Sequence, residues 1–283
     1  MAAVTVDVAT AAQVRRRADP LLVVSATCCL LLIAVALVGG WLAPYQPDEI
    51  DVLAASQGPG PHHWLGTDSL GRDVLSRALA GAALSFAGPL LIVLGSVVLG
   101  TVLGVVAAWY GGWLDQMLNR LLNVMFAVPG ILVAVIASAV FGAGFWAPVI
   151  ALTLVYIPYA ARIIRSAAVR ERQQAYVEGL QLAGVSSLSI NTKHVLRNVW
   201  PLIVAQATIG LGTALADFAA VSFIGLGVQP PAAEWGVMVA EGRAEILDGA
   251  PQQSLVAGLC IVVTVVSFNV LGERLAARFG AAR

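Results

Sequence analysis

Few residues in this chain carry chemistry, and their positions matter more than their number. Asp217 stands within the apolar run GTALADFAAVSF. A carboxylate at mid-bilayer costs on the order of 2.5–3.5 kcal/mol, so Asp217 is expected to face a path or a partner chain; a neutral acid or a packing hydrogen bond is the plainer alternative. His62 and His63 are adjacent but have no third ligand at useful spacing, so no metal is expected. Cys28, Cys29 and Cys260 lie in apolar stretches, where a thiol behaves as a small buried hydrophobe. The chain has no G-x-S-x-G elbow, no H-E-x-x-H pair and no paired intramembrane carboxylates. Its sole lysine, Lys193, is flanked by Thr192 and His194 instead of the glycine and Ser/Thr of a phosphate-binding loop. Covalent catalysis, a bound cofactor and a bound metal are therefore not expected of the chain itself.

The segment 163–200 has a different pattern. From 170 to 183 it favours helix, with Tyr176, Val177, Leu180 and Ala183 on one apolar stripe. Gly184 offers the left-handed conformation that stops a helix, and Ser186 or Ser187 can cap the next. Two helices meeting at a sharp corner are predicted. Such a corner is short and stiff enough to transmit motion, although a solvated connector resting on lipid headgroups would show the same pattern.

These residues are held by a chain made for lipid. Of 283 residues, 59% are hydrophobic and 11% charged, under half the share of about 25% usual in soluble domains. Sixteen basic and sixteen acidic residues cancel, so nothing favours nucleic acid as a partner. Spanning a hydrocarbon core of about 30 Å takes roughly 20 helical residues, and six runs qualify: 21–43, 84–108, 122–140, 145–161, 201–224 and 254–272. The first is too long for a signal-peptide core and lacks a clear cleavage site, so it is expected to stay attached. The third and fourth read as a tight helical hairpin. With the N-terminal segment 1–20 inside, thirteen of sixteen Lys and Arg residues fall on the inner side, which predicts two cytoplasmic termini.

Two outward segments are too long to be turns. In 62–81, Thr67 or Asp68 is expected to cap an amphipathic surface helix in which Asp73 and Arg77 form an i,i+4 pair. In 225–236, Gly225 and Gly227 precede Pro230-Pro231 and then Trp235, giving a shaped re-entrant or surface loop.

YVEGLQLAG (176–184), followed by HVLRN, resembles the EAA-type signature of permease subunits in binding-protein-dependent ABC importers, with Glu178 and Gly184 at the family's spacing. HHWLGTDSLGRDVLSRALAG (62–81), WYGGWLDQMLNR (109–120), YAARIIR (159–165) and SFIGLGVQPPAAEWGVMVAEGR (222–243) are similar to the second permease subunit of the dipeptide, oligopeptide and nickel group. The chain departs from that group at Gly179, Leu180, Arg197, Ala83 and Asn123.

The resemblance implies an all-α, six-span permease domain over 21–283 with the type I importer fold, in a bacterial or archaeal cytoplasmic membrane. It implies a heterodimer with a homologous permease, two ATP-binding cassette subunits that use the ATP, and an extracytoplasmic solute-binding protein. Tyr176, Val177, Glu178, Gly179, Leu180, Ala183 and Gly184 would couple to the ATPase subunits. Asp68, Arg72, Asp73, Gln229 and Trp235 would be outer-partner contacts, and Asp217 would belong to the path. Peptide is the expected cargo, with nickel or another small solute as the alternative. An ion-coupled secondary transporter using Asp217, or an assembly protein with no pore, would lack the ATPase partner.

Overall fold

A computed structural model describes residues 19–280; the N-terminal segment 1–20 falls almost wholly outside them. Among the described residues every regular element is helical. The order is α1 (Pro20–Leu42), α2 (Val74–Tyr110), α3 (Gly112–Phe126), α4 (Gly130–Phe141), α5 (Trp146–Arg172), α6 (Ala175–Leu182), α7 (Ser187–Ile190), a π-turn at Asn191–Val195, α8 (Leu196–Phe223), α9 (Trp235–Glu241) and α10 (Gln252–Gly280).

Among the described residues, five helical stretches are long and apolar enough to cross a membrane, and six if the bent pair α3–α4 counts as one span. The expected third span, 122–140, is thus broken. Its halves meet at 77°, because Pro129 caps α4 and its ring disfavours helical backbone at Val128. The hairpin with α5 is retained in α4, whose partner helix runs on to Arg172 instead of ending near 161.

α1 starts at Asp19, whose side chain accepts from the backbone N–H of Leu21, and has Pro20 in its first turn. α2 has 37 residues and so is about 55 Å long, well beyond the hydrocarbon thickness. It packs most extensively on α5. The two backbones approach where α2 has no side chain: a Cβ at Gly100 would lie 2.7 Å from Ala160 Cβ, and one at Gly104 2.8 Å from Ala161 O. Small residues four apart permit this close packing in lipid.

Alternation of the spans defines two ends. The corner end carries α6, α7 and the π-turn; the loop end carries residues 43–73 and 224–251. Beneath the corner, Ile164, Val177, Ile190, Val199 and Ile203 form one buried cluster. Ile92, Leu152, Phe218 and Val237 fill the middle, while Cys29, Phe86, Trp235 and Phe268 join α1, α2, α9 and α10. Many apolar side chains on the outside of the bundle are exposed, Leu30, Leu37, Val98, Ile136 and Val262 among them, as lipid-facing surface requires.

The outer segment differs from its expectation. Residues 62–73 are turns, and the helix starts only at Val74, capped by Asp73, whose carboxylate accepts from the N–H of Ser76. Thr67 and Asp68 do not cap it. The Thr67 hydroxyl donates to Ala54 O, and Asp68 Oδ1 accepts from the N–H groups of Leu70 and Arg72 at 2.9 Å each. Side chains that bond their own backbone this way compete with helix. Residues 74–81 are therefore the first turns of a membrane helix.

Candidate functional site

At the corner end, α5 stops at Arg172 and the chain turns through Gln173 and Gln174 into α6. The predicted continuous helix from 170 is thus interrupted. Gly184 takes φ +77°, the left-handed conformation expected there, and Ser186 caps α7 by accepting from the N–H of Ser189. No atom lies within 4 Å of a Cβ built at Gly184, so its requirement is one of backbone conformation and not of space.

The predicted coupling residues divide by direction. Val177 is fully buried and anchors α6, and its burial is worth about 1.5–3 kcal/mol. Leu180 is half-buried against the same cluster. Glu178, Gly179, Ala183 and Gly184 are exposed. Tyr176 is 39% exposed, with its hydroxyl directed inward onto Glu171 Oε1 at 2.7 Å. Two residues that the sequence reading passed over complete the outer face: Leu182 is 85% exposed and Leu188 75%. They flank Gly184, and the signal for them was a leucine on each side of a turn glycine.

Arginines of α5 brace this end. Arg165 grips Asp115 of α3 through Nε and Nη2, both at 2.5 Å. Such a two-point contact fixes orientation as well as distance. Arg162 donates to Asn123 Oδ1 at 2.8 Å and stacks over Phe126. Asn123 therefore serves as the acceptor for Arg162. Arg172 Nη1 donates to Ala108 O at 2.9 Å.

Asp217 is half-buried on α8 and accepts from the Tyr156 hydroxyl at 2.9 Å. Tyr156 in turn lines a cavity of about 340 Å³ between the α3–α4 break, α5 and α8, together with Phe126, Pro129, Tyr159, Gly210 and Thr213. Asp217 stands behind this cavity, one helical turn beyond Thr213, and does not line it.

At the loop end, four of the five expected outer contacts lie inside the chain. Asp68 is fully buried, and Arg72, Asp73 and Trp235 nearly so. Arg72 Nε donates to Asp68 Oδ2 at 2.5 Å, and its Nη2 to Glu241 Oε2 at 3.2 Å. The expected Asp73–Arg77 pair is replaced: Asp73 bonds Ser76 and sits 3.0 Å from His63 Nδ1, while Arg77 pairs with Glu241 at 2.8 Å. Trp235 Nε1 donates to Ala78 O, and its backbone N–H to Ser85 Oγ, each at 2.9 Å. Gln229 is exposed, and its side-chain amide donates to the carbonyls of Gly225 and Gly227. Four of the five thus form an internal scaffold, through Arg72 with Asp68 and Glu241, Asp73 with His63 and Ser76, and Trp235 with Ala78 and Ser85, and Gln229 alone is exposed.

Glu234 went unnoticed in the sequence. It is buried and caps α9, accepting from Val237 N at 3.0 Å and from the Ser85 hydroxyl at 3.3 Å. Burial pushes its carboxyl above the usual glutamate range, against the opposing pull of those bonds.

Comparison with known proteins agrees with this geometry. Residues 100–281 match the binding-protein-dependent transport system inner membrane component, and residues 14–59 match the N-terminal TM domain of oligopeptide transport permease C. The glutathione transport system permease proteins GsiD of Escherichia coli O157:H7 and Shigella sonnei (strain Ss046) are each 38% identical over 262 residues, covering 92% of this chain and 86% of theirs. An inward-facing structure of the MetNI methionine ABC transporter has a chain similar to this one with a TM-score of 0.59 at 19% identity, covering 72% of this chain and 96% of that one; this likeness concerns the fold. With its membrane helices, its glycine-turned corner and matches over most of its length, the chain belongs to the family of binding-protein-dependent ABC importer permeases, as a multi-pass membrane subunit of the dipeptide, oligopeptide and nickel type.

Proposed function

We propose that this permease forms half of the translocation pathway of an ATP-driven importer whose cargo is peptide. A homologous permease would supply the other half. Two ATPase subunits would grip the corners, and a solute-binding protein would deliver cargo at the loop end. The charge distribution supports a cytoplasmic corner with both termini on its side. Matches to an oligopeptide permease segment and to permeases of glutathione transport systems support the cargo class.

The observation that carries this reading is the split character of α6. Val177 is sunk into the bundle while Glu178, Leu182 and Leu188 project from it. Exposed leucines on both sides of the Gly184 turn, with a carboxylate on the same helix as one of them, suit burial in an apolar cleft of a partner chain. Closing of the ATPase pair on ATP would carry the corners with it and tip the bundle as a rigid body from inward-open to outward-open, with hydrolysis resetting it. At the loop end, the Asp68–Arg72–Arg77–Glu241 network would hold the outer surface in shape, leaving Gln229 among the residues that meet the binding protein. Asp217 would act on the path through Tyr156, whose ring lines the cavity.

Purification of the chain in mild detergent from its native membrane, with mass spectrometry of what accompanies it, tests the assembly. ATPase subunits and a second permease in stoichiometric amounts are expected. Recovery of the chain without either would overturn the reading.

A further inference from the structure

Only Gln173 and Gln174 separate α5 from α6, and α6 has no side-chain cap. Eight residues are too few for a helix to hold itself in place, and the apolar packing of buried Val177 and half-buried Leu180 resists withdrawal but supplies no directional contact. Yet a lever is useful only if its motion is passed on. Three polar groups supply the missing constraint. Glu171 Oε1, in the last turn of α5, accepts from the Tyr176 hydroxyl of α6 at 2.7 Å and from Asn198 Nδ2 of α8 at 2.6 Å. Asn198 Nδ2 also lies 3.1 Å from the Tyr176 oxygen, closing a triangle. The Glu171 side chain is buried, where a bond to a carboxylate is stronger and less screened. The Tyr176 ring also leans on His194 of the π-turn at 6.3 Å between centroids.

The triangle thus has one corner on each of three elements: the exposed helix and the two membrane helices that bound its loop. We propose that Glu171, Tyr176 and Asn198 form the joint that makes α6 move as one body with α5 and α8. Displacement of the corner then reaches the bundle instead of being absorbed at residues 173–174. This inference rests on the coupling role proposed for α6, but it assigns the three residues to positioning and not to docking.

The test uses the assembled importer in proteoliposomes, reading uptake and ATP hydrolysis together, with amide hydrogen exchange of residues 175–182 read on the same complexes. Asn198→Leu removes the donor at similar volume, and Glu171→Leu removes the shared acceptor. In both, ATPase subunits should copurify as in wild type and hydrolyse ATP, while uptake per ATP falls about tenfold in Asn198→Leu, the scale of one lost charge-assisted bond, and at least as far in Glu171→Leu, which loses two. Exchange across 175–182 should accelerate by about the same factor. Glu171→Gln, which keeps an acceptor oxygen but not its charge, should fall between wild type and Glu171→Leu. Unchanged uptake per ATP in both leucine variants would overturn the joint. So would equal losses of uptake and hydrolysis, or loss of the ATPase subunits from both, since either would make the triangle a folding or docking element. Absence of ATPase subunits from the wild-type complex would instead overturn the coupling role itself.

Discussion

Arg77 Nη2 donates to Glu241 Oε2 at 2.8 Å although the two residues stand 164 positions apart, and the guanidinium is fully buried. This bond fastens the first turn of α2 to the end of α9. Removing one member of a fully buried pair costs about 3–5 kcal/mol; here Glu241 is 21% exposed and keeps Arg72 as a partner. Arg77→Ala is therefore expected to destabilise the chain by less than that, about 1–3 kcal/mol, in detergent-based thermal unfolding. Asp48→Ala should cost little, because that carboxylate is mostly exposed and its contact is long, at 3.3 Å.

Gly184→Val should insert and fold normally yet abolish transport. The φ of +77° at this turn is one a β-branched residue resists. Glu178→Arg should do the same by reversing the charge of an exposed α6 side chain. Uptake assays and immunoblots of membrane fractions check both, and wild-type uptake in either variant would count against the corner as a handle.

Asp217→Leu removes the acceptor from Tyr156 and is expected to lower uptake about tenfold while ATPase subunits still assemble. Asp217→Asn keeps an acceptor oxygen and should retain most uptake. Equal uptake in wild type and Asp217→Leu would reduce this residue to helix packing.

Glu234 provides a pH dependence. Its folded-state pKa is raised by burial, so the folded chain keeps a proton that the unfolded chain releases. The stability it contributes is complete below the ordinary glutamate pKa of about 4.3 and is lost as pH rises through the folded value. Thermal stability should therefore decline as pH rises above about 4.3, and Glu234→Gln should flatten that decline. An identical decline in the variant would assign the effect to another group.

The membrane helices and the corner were legible because each rests on a local signal. Long apolar runs announce spans, and the Gly184 turn follows from a glycine between a helical stripe and a serine cap. The outer segment was misread because its periodicity from Leu70 to Leu79 is real but its backbone is claimed by side chains: Asp68 bonds residues 70 and 72, and Asp73 takes the cap. The break at 127–129 was missed because hydropathy does not register a kink, although Pro129 stood in view. Burial of Asp68, Arg72 and Trp235, and the meeting of Glu171 with Asn198, depend on contacts between elements far apart in sequence, for which one sequence holds no signal.

The most direct test of the central claim is site-specific photocross-linking from position 182 in the native membrane. Leu182 is 85% exposed beside Gly184, so a photoreactive residue there reports what the corner touches. The account predicts an adduct with an ATP-binding subunit, altered in yield when nucleotide is added. Adducts with lipid alone, or labelling of position 182 by a membrane-impermeant reagent from outside intact cells, would contradict it.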